Sequence, residues 1–171
     1  MKRINKVIGF FLVMSAFVTN ANAQSTASAS ATATIVTPIS ITKNVDMNFG
    51  NIAVTSSGGT VILAAAGTRT KTGGITLPVV TGTVTAAQFT VTGEGTYTYD
   101  ITLPSSAVTL TKSGGGATMD ATSFTHSAGG SPALTAGSQV FNVGATLTVA
   151  AAQAAGAYTT GTAFNVAVNY N

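Results

Sequence analysis

Ala27-Ser28-Ala29-Ser30-Ala31-Thr32-Ala33-Thr34-Ile35-Val36-Thr37-Pro38-Ile39-Ser40-Ile41 is the stretch on which the fold is decided. Ala27, Ala29, Ala31, Ala33, Ile35, Ile39 and Ile41 share odd numbering, and hydroxyl side chains hold most of the even positions between them. Alternate residues of a strand face opposite ways, so this is a β-ribbon with one apolar and one hydroxyl face. Pro38 interrupts it, because proline has no N–H to give a ladder and avoids central strands. The run therefore divides into an N-terminal extension, Gln24 to Val36, and a first body strand, Ile39 to Phe49. The extension reads as a candidate donor strand whose apolar row, Ala27, Ala29, Ala31, Ala33 and Ile35, completes the sheet of a neighbouring copy.

Working outward toward the N-terminus, Lys2, Arg3 and Lys6 precede an uncharged run, Val7 to Val18, and then Ala21-Asn22-Ala23. Basic head, apolar middle and small-x-small end are the pattern of a secretory signal, with cleavage expected before Gln24. The apolar run is too short to cross ~30 Å of hydrocarbon as a helix. The expected organisation is thus a signal peptide at 1–23, an extension at 24–36 and one β-sandwich domain at 37–171. No cysteine follows the cut, and no apolar tail closes the chain, so the mature product is expected to be secreted or held at the cell surface by other proteins.

Loss of the leader also removes three basic residues. What remains is Lys43, Arg69, Lys71 and Lys112 against Asp46, Glu94, Asp100 and Asp120, a formally neutral chain. Nucleic-acid binding needs a basic stripe to neutralise phosphates, and none is present. With so few charges, the surface does not rely on charge repulsion for solubility, and copies of itself are natural neighbours. The chain has no cysteine, so burial and backbone pairing carry its stability even where disulfides are permitted.

The rest of the chain is Thr-, Ala-, Val- and Gly-rich, with short alternating runs between glycine clusters. That is the signature of an all-β sandwich or barrel. Strands are expected at Ile39–Phe49, Gly59–Ala65, Gly74–Val80, Gln88–Thr92, Thr96–Leu103, Val108–Lys112, Met119–Thr125, Gln139–Val143, Thr146–Val149 and Ala163–Tyr170. The glycine clusters between them supply positive φ for turns, with hairpin loops preferred over linkers at Ser113–Gly116 and Ser127–Ser131. Val149 to Ala155 is alanine-rich and favours helix, but about seven residues before Gly156 are short for one. A single helical turn or an irregular loop is expected there.

Residues that could carry chemistry are few. His126 is the one histidine, no Gly-x-Ser-x-Gly occurs, and no acid stands beside it in a triad pattern, so an exposed loop-end role is expected. One histidine, no cysteine and four scattered acids give no metal spacing, zinc or calcium. Tyr97 and Tyr99 share a strand face and could stack on a sugar, although packing at the core edge is the commoner use of tyrosine. Tyr158 after Gly156 reads as a corner residue. Lys43, Arg69, Lys71 and Lys112 are read as strand-edge charges that discourage pairing rather than crosslinking lysines. The chain is therefore read as non-enzymatic, without cofactor.

Three local patterns carry a family resemblance: Asn48-Phe49-Gly50-Asn51-Ile52; Gly144-Ala145-Thr146-Leu147 leading into Gln153-Ala154-Ala155-Gly156-Ala157-Tyr158; and the ending Phe164-Asn165-Val166-Ala167-Val168-Asn169-Tyr170. The chain resembles a family of small secreted bacterial domains of unknown function, similar in layout to spore coat protein U and to chaperone–usher pilins. The resemblance implies an immunoglobulin-like (pilin-like) antiparallel sandwich. It further implies a strand supplied by a neighbour's N-terminal extension, and a periplasmic chaperone or outer-membrane assembly factor as partner. The pilins' disulfide is absent here, and the extension is richer in alanine than a pilin donor. Burying Ile35 is worth ~1.5–3 kcal/mol and an alanine methyl ~0.8, against ordering costs of ~1–2 kcal/mol per residue. Backbone pairing along an acceptor groove must supply the difference, the β-augmentation mode. The expected function is a structural subunit of a pilus-, coat- or matrix-like assembly. A secreted adhesin or carbohydrate-binding module is the alternative, with Gly93–Gly95 and Ser127–Ser131 as its loops.

Overall fold

The computed structural model describes residues 23–171; the expected leader lies outside the described residues except for Ala23. The chain divides into two units, Met1–Thr34 and Ile35–Asn171. In the first, residues 23–34 form no helix or strand and are exposed throughout. The second is all-β and antiparallel, with no helix among the described residues.

Twelve strands make up this unit: β1 Ser40–Val45, β2 Ala53–Val54, β3 Gly59–Leu63, β4 Arg69–Lys71, β5 Ile75–Thr76, β6 Ala87–Thr92, β7 Tyr99–Thr102, β8 Val108–Lys112, β9 Thr118–His126, β10 Ser138–Val149, β11 Tyr158–Thr160 and β12 Ala167–Tyr170. The main sheet runs β1-β6-β10-β9-β8-β11, with β3 on β10 and β4 on β3; β12 pairs β7, and β2 pairs β5, as separate ribbons. These curled sheets enclose the apolar faces between them as a β-sandwich.

β10 organises the whole. Its residues 138–143 pair with β6 and its residues 145–149 with β3, while residues 143–148 pair with β9 along the opposite edge. Odd positions point inward, so one strand feeds two cores. Phe141 and Val143 join Ala87, Phe89, Val91, Tyr99 and Leu134, whereas Ala145, Leu147 and Val149 join Phe49, Val61, Leu63, Ile75 and Ala121. No buried residue of either core is polar except for the Tyr99 hydroxyl, which donates to Gln139 Oε1 at 2.6 Å. Burial raises the Tyr99 phenol above its ordinary value.

The sequence read β10 as two strands because Gly144 interrupts the apolar alternation. The glycine is instead a crossing point. β6 and β3 end on either side of it, and the Leu63–Ala65 backbone passes over its α-carbon, where a side chain would stand.

Other expectations were longer than the ladders. Ile39–Phe49 pairs only as far as Val45, where a bulge between Lys43 and Val45 ends β1, although Asn48 still makes an isolated bridge to Thr85. Gly74–Val80 shrinks to Ile75–Thr76, because Pro78 stops it and leaves Val79 and Val80 exposed at a loop tip. Thr96–Leu103 starts at Tyr99 after a turn, and Ala163–Tyr170 pairs only from Ala167. The alanine-rich segment after β10 is a turn at Ala151–Ala152, with Ala152 at φ 50° and its N–H on the Thr55 carbonyl at 2.9 Å.

The first motif, Asn48 to Ile52, is a corner. Asn48 Oδ1 accepts the Gly50 N–H at 2.8 Å, and the Asn51 N–H and side-chain amide bond to the Thr81 and Val80 carbonyls. Arg69 Nη1 caps it by donating to the Phe49 carbonyl and, at 3.0 Å, to that of Asn51. Gly50, at φ +68°, has the Thr81 carbonyl and Val84 where a β-carbon would lie, so the motif is structural.

Candidate assembly interface

Ala27, Ala29, Ala31, Ala33 and Ile35 are all exposed and none belongs to a strand. Ile35 is 98% exposed, the costliest of the row to leave in water. The single chain thus leaves the candidate donor residues without ladder partners.

Where the extension enters the body, three hydrogen bonds fix it. The Thr37 N–H donates to Glu94 Oε2 at 2.9 Å; the Tyr170 hydroxyl donates to the Thr37 carbonyl at 2.8 Å and accepts the Glu94 N–H at 2.6 Å. Gly93 leaves room for that hydroxyl, since a β-carbon there would stand against it. The last motif of the sequence, ending at Tyr170, therefore holds the root of the extension.

The hydrogen bond from Thr37 holds the Glu94 carboxyl below its ordinary value. A carboxyl depressed on folding contributes stability above its unfolded value and loses it as pH falls through the folded one. The Thr37 amide NMR shift is accordingly expected to titrate with a midpoint below the usual carboxylate range. Glu94→Gln should flatten that curve; an unchanged profile in the variant would disconnect the two groups.

Two strand edges lie near this root. β1 pairs only β6, and β12 pairs only β7; the two approach each other without forming a ladder. Ile39 and Ile41 on one side, and Phe164, Val166, Val168 and Tyr170 on the other, are partly buried against the Phe141 core. Phe164 meets Phe124 at 5.1 Å between ring centroids.

Other sequence candidates resolve differently. Tyr99 is 0% exposed whereas Tyr97 is 46% exposed and packs edge-on against Tyr170, so the two do not form one exposed platform. Tyr158 donates to the Ala154 carbonyl at 2.6 Å and accepts from Gln153 Nε2 at 2.9 Å, and so ties down the corner before β11. His126 is not loop-exposed. A residue with positive φ, Ser123, shifts the phase of β9, so Phe124 and His126 follow Ala121 inward. The histidine ring then lies 6.2 Å from Phe141, its Nδ1 buried without a partner.

The described residues hold no cluster of three metal-ligating side chains and no helix long and apolar enough to cross a membrane. Their one salt bridge is Lys43–Asp46 at 2.6 Å. A depression of about 390 Å³ beside β8 is lined by Ala107, Val108, Thr109, Thr111 and the 161–164 turn, without an ionisable group.

The sequence profile of a family described as "Domain of unknown function (DUF4402)" matches residues 39–170. The chain belongs to this family. The DUF4402 match takes in the body from Ile39 to Tyr170, including all three motifs, and leaves the extension outside. No curated protein and no solved structure matches the chain.

Proposed function

We propose that this DUF4402 protein is a non-enzymatic structural subunit of an extracellular or cell-surface assembly, a pilus, coat or matrix. Each copy joins the next by adding residues 24–36 to a sheet edge of its neighbour. The observation that carries this reading is the pairing of opposites within one chain: an alternating apolar extension without ladder partners, and a sandwich with unpaired strand edges. Likeness in layout to spore coat protein U and to chaperone–usher pilins, with their immunoglobulin-like body, export and chaperone, supports it and belongs to the same proposal. Backbone pairing supplies the affinity in this mode, and alternate side chains supply the register.

The test compares a chain beginning at Gln24 with one beginning at Thr37. The first is expected to form oligomers by light scattering and the second to stay monomeric. Within the longer chain, Ala31→Glu should abolish assembly by placing a charge on the apolar row, while Ser30→Glu, on the hydroxyl row, should leave it. Equal sizes for the two chains, or equal effects of the two substitutions, would sink the reading.

A further inference from the structure

We infer that the acceptor is the unpaired edge of β12 and its lead-in, Ala163 to Tyr170, and that its occupant is residues 27–35 of a second copy. This rests on the assembly reading above and names the surface that reading leaves open.

The open edges of the body differ in how they are protected. Among the described residues, five strands of three or more residues pair along one side only: β1, β4, β7, β11 and β12. An open edge is a template for any passing strand, and proteins blunt such edges with charge, bulges or brevity. β4 carries Arg69 and Lys71 within three residues, and β7 carries Asp100 and has its free side started by the Thr98–Ala133 bridge, with the Tyr99 N–H on the Pro132 carbonyl at 3.1 Å. β1 ends in a bulge at Lys43, which is tied to Asp46. β11 is three residues long and stops at Gly161. β12, four residues long, has neither charge nor bulge, and its inward alternation already begins at Phe164 in the lead-in. From Ala163 to Asn171 there is no charge, proline or glycine, and the paired part has no register shift.

Chemistry and size select the occupant. The extension is uncharged from Gln24 to Val36, matching an uncharged edge. Ala27 to Ile35 extends about 30 Å at ~3.3 Å per residue, close to the roughly 27 Å of Ala163 to Tyr170. The seam between β1 and β12 is shallow, because Ile41, Val166 and Val168 are already partly covered by the core beneath. Such a seam takes methyl groups and has little room for larger side chains, which accounts for an alanine-rich donor.

The chain has no cysteine, so disulfide trapping between two singly substituted chains gives a clean readout. Inward residues of the edge are Phe164, Val166 and Val168, which puts Ala167 on the outer side, where the extension's hydroxyl row would lie beside it. Chains carrying Ser30→Cys or Thr32→Cys are mixed with chains carrying Ala167→Cys, Thr70→Cys on β4 or Thr159→Cys on β11. At least one extension variant is expected to trap Ala167→Cys at ten-fold or greater yield over the other two edges, since a disulfide needs α-carbons within about 7 Å. Ala167→Lys should prevent assembly while leaving the melting temperature unchanged, and Thr159→Lys should alter neither assembly nor the melting temperature. Trapping at Thr70→Cys or Thr159→Cys instead overturns this inference and leaves the assembly reading standing. No trapping anywhere, together with equal sizes by light scattering, overturns both.

Discussion

Phe141→Ala is expected to destabilise the body by roughly 3–5 kcal/mol, the usual cost of deleting a large buried aromatic side chain. Phe141 is 1% exposed, stacks on Phe89 at 5.7 Å between centroids and carries the edge of His126. Truncation leaves a void flanked by the rings of Phe89 on β6 and His126 on β9, two strands that β10 holds in register on its opposite edges, so little collapse can refill it. Leu147→Ala, in the other core, should cost about 2–5 kcal/mol. Because both side chains hang from β10, both variants should move one common urea transition to lower midpoint without changing its slope. Two separate transitions in either variant would show that the cores unfold independently, against the role given to the strand.

Gly144→Ala is the second large effect. An alanine there would drive its methyl group into the Leu63 carbonyl and to 2.6 Å from the Ala65 nitrogen. That turn cannot easily retreat: Ala64 exchanges hydrogen bonds with Thr68 and Gly67 at 2.9 and 2.8 Å. Overpacking against backbone costs about 3 kcal/mol at the upper end of the ordinary range. For a domain this size that lowers the melting temperature by roughly 6–12 °C. Gly130→Ala, in a loop where a β-carbon meets nothing and φ lies outside the left-handed region as at Gly144, is the reference, and it should cost nothing or stabilise slightly. Equal losses at the two sites would remove the steric explanation.

These two residues also mark how far the sequence could be read. Val108–Lys112 was legible to the residue, because period-2 alternation between two turns leaves one choice. The phase change from Met119 and Ala121 to Phe124 and His126 was not read, and His126 was expected at an exposed loop end; the bulge at Ser123 that turns it inward depends on pairing with β10. Gly144 misled because a glycine within a strand looks like a turn unless the crossing chain is known, and that chain lies about eighty residues earlier. β4 and β11 were missed since Arg-Thr-Lys and Tyr-Thr-Thr have no apolar alternation; neighbours alone recruit them. The Arg69 cap and the Tyr170–Thr37 bond were beyond reach for the same reason, being long-range contacts between polar groups. Of the candidate interface, the alternating extension was plain from sequence. Which edges stay open was not, because edge status belongs to the topology.

The bond between Tyr170 and Thr37 places the two ends of the folded body side by side. Tension arriving through the extension would reach the C-terminal strand across a single side chain. In a fibre of such copies the load path would skirt the rim, shearing β1 against β12, while the long strand that carries both cores bears almost none of the pull.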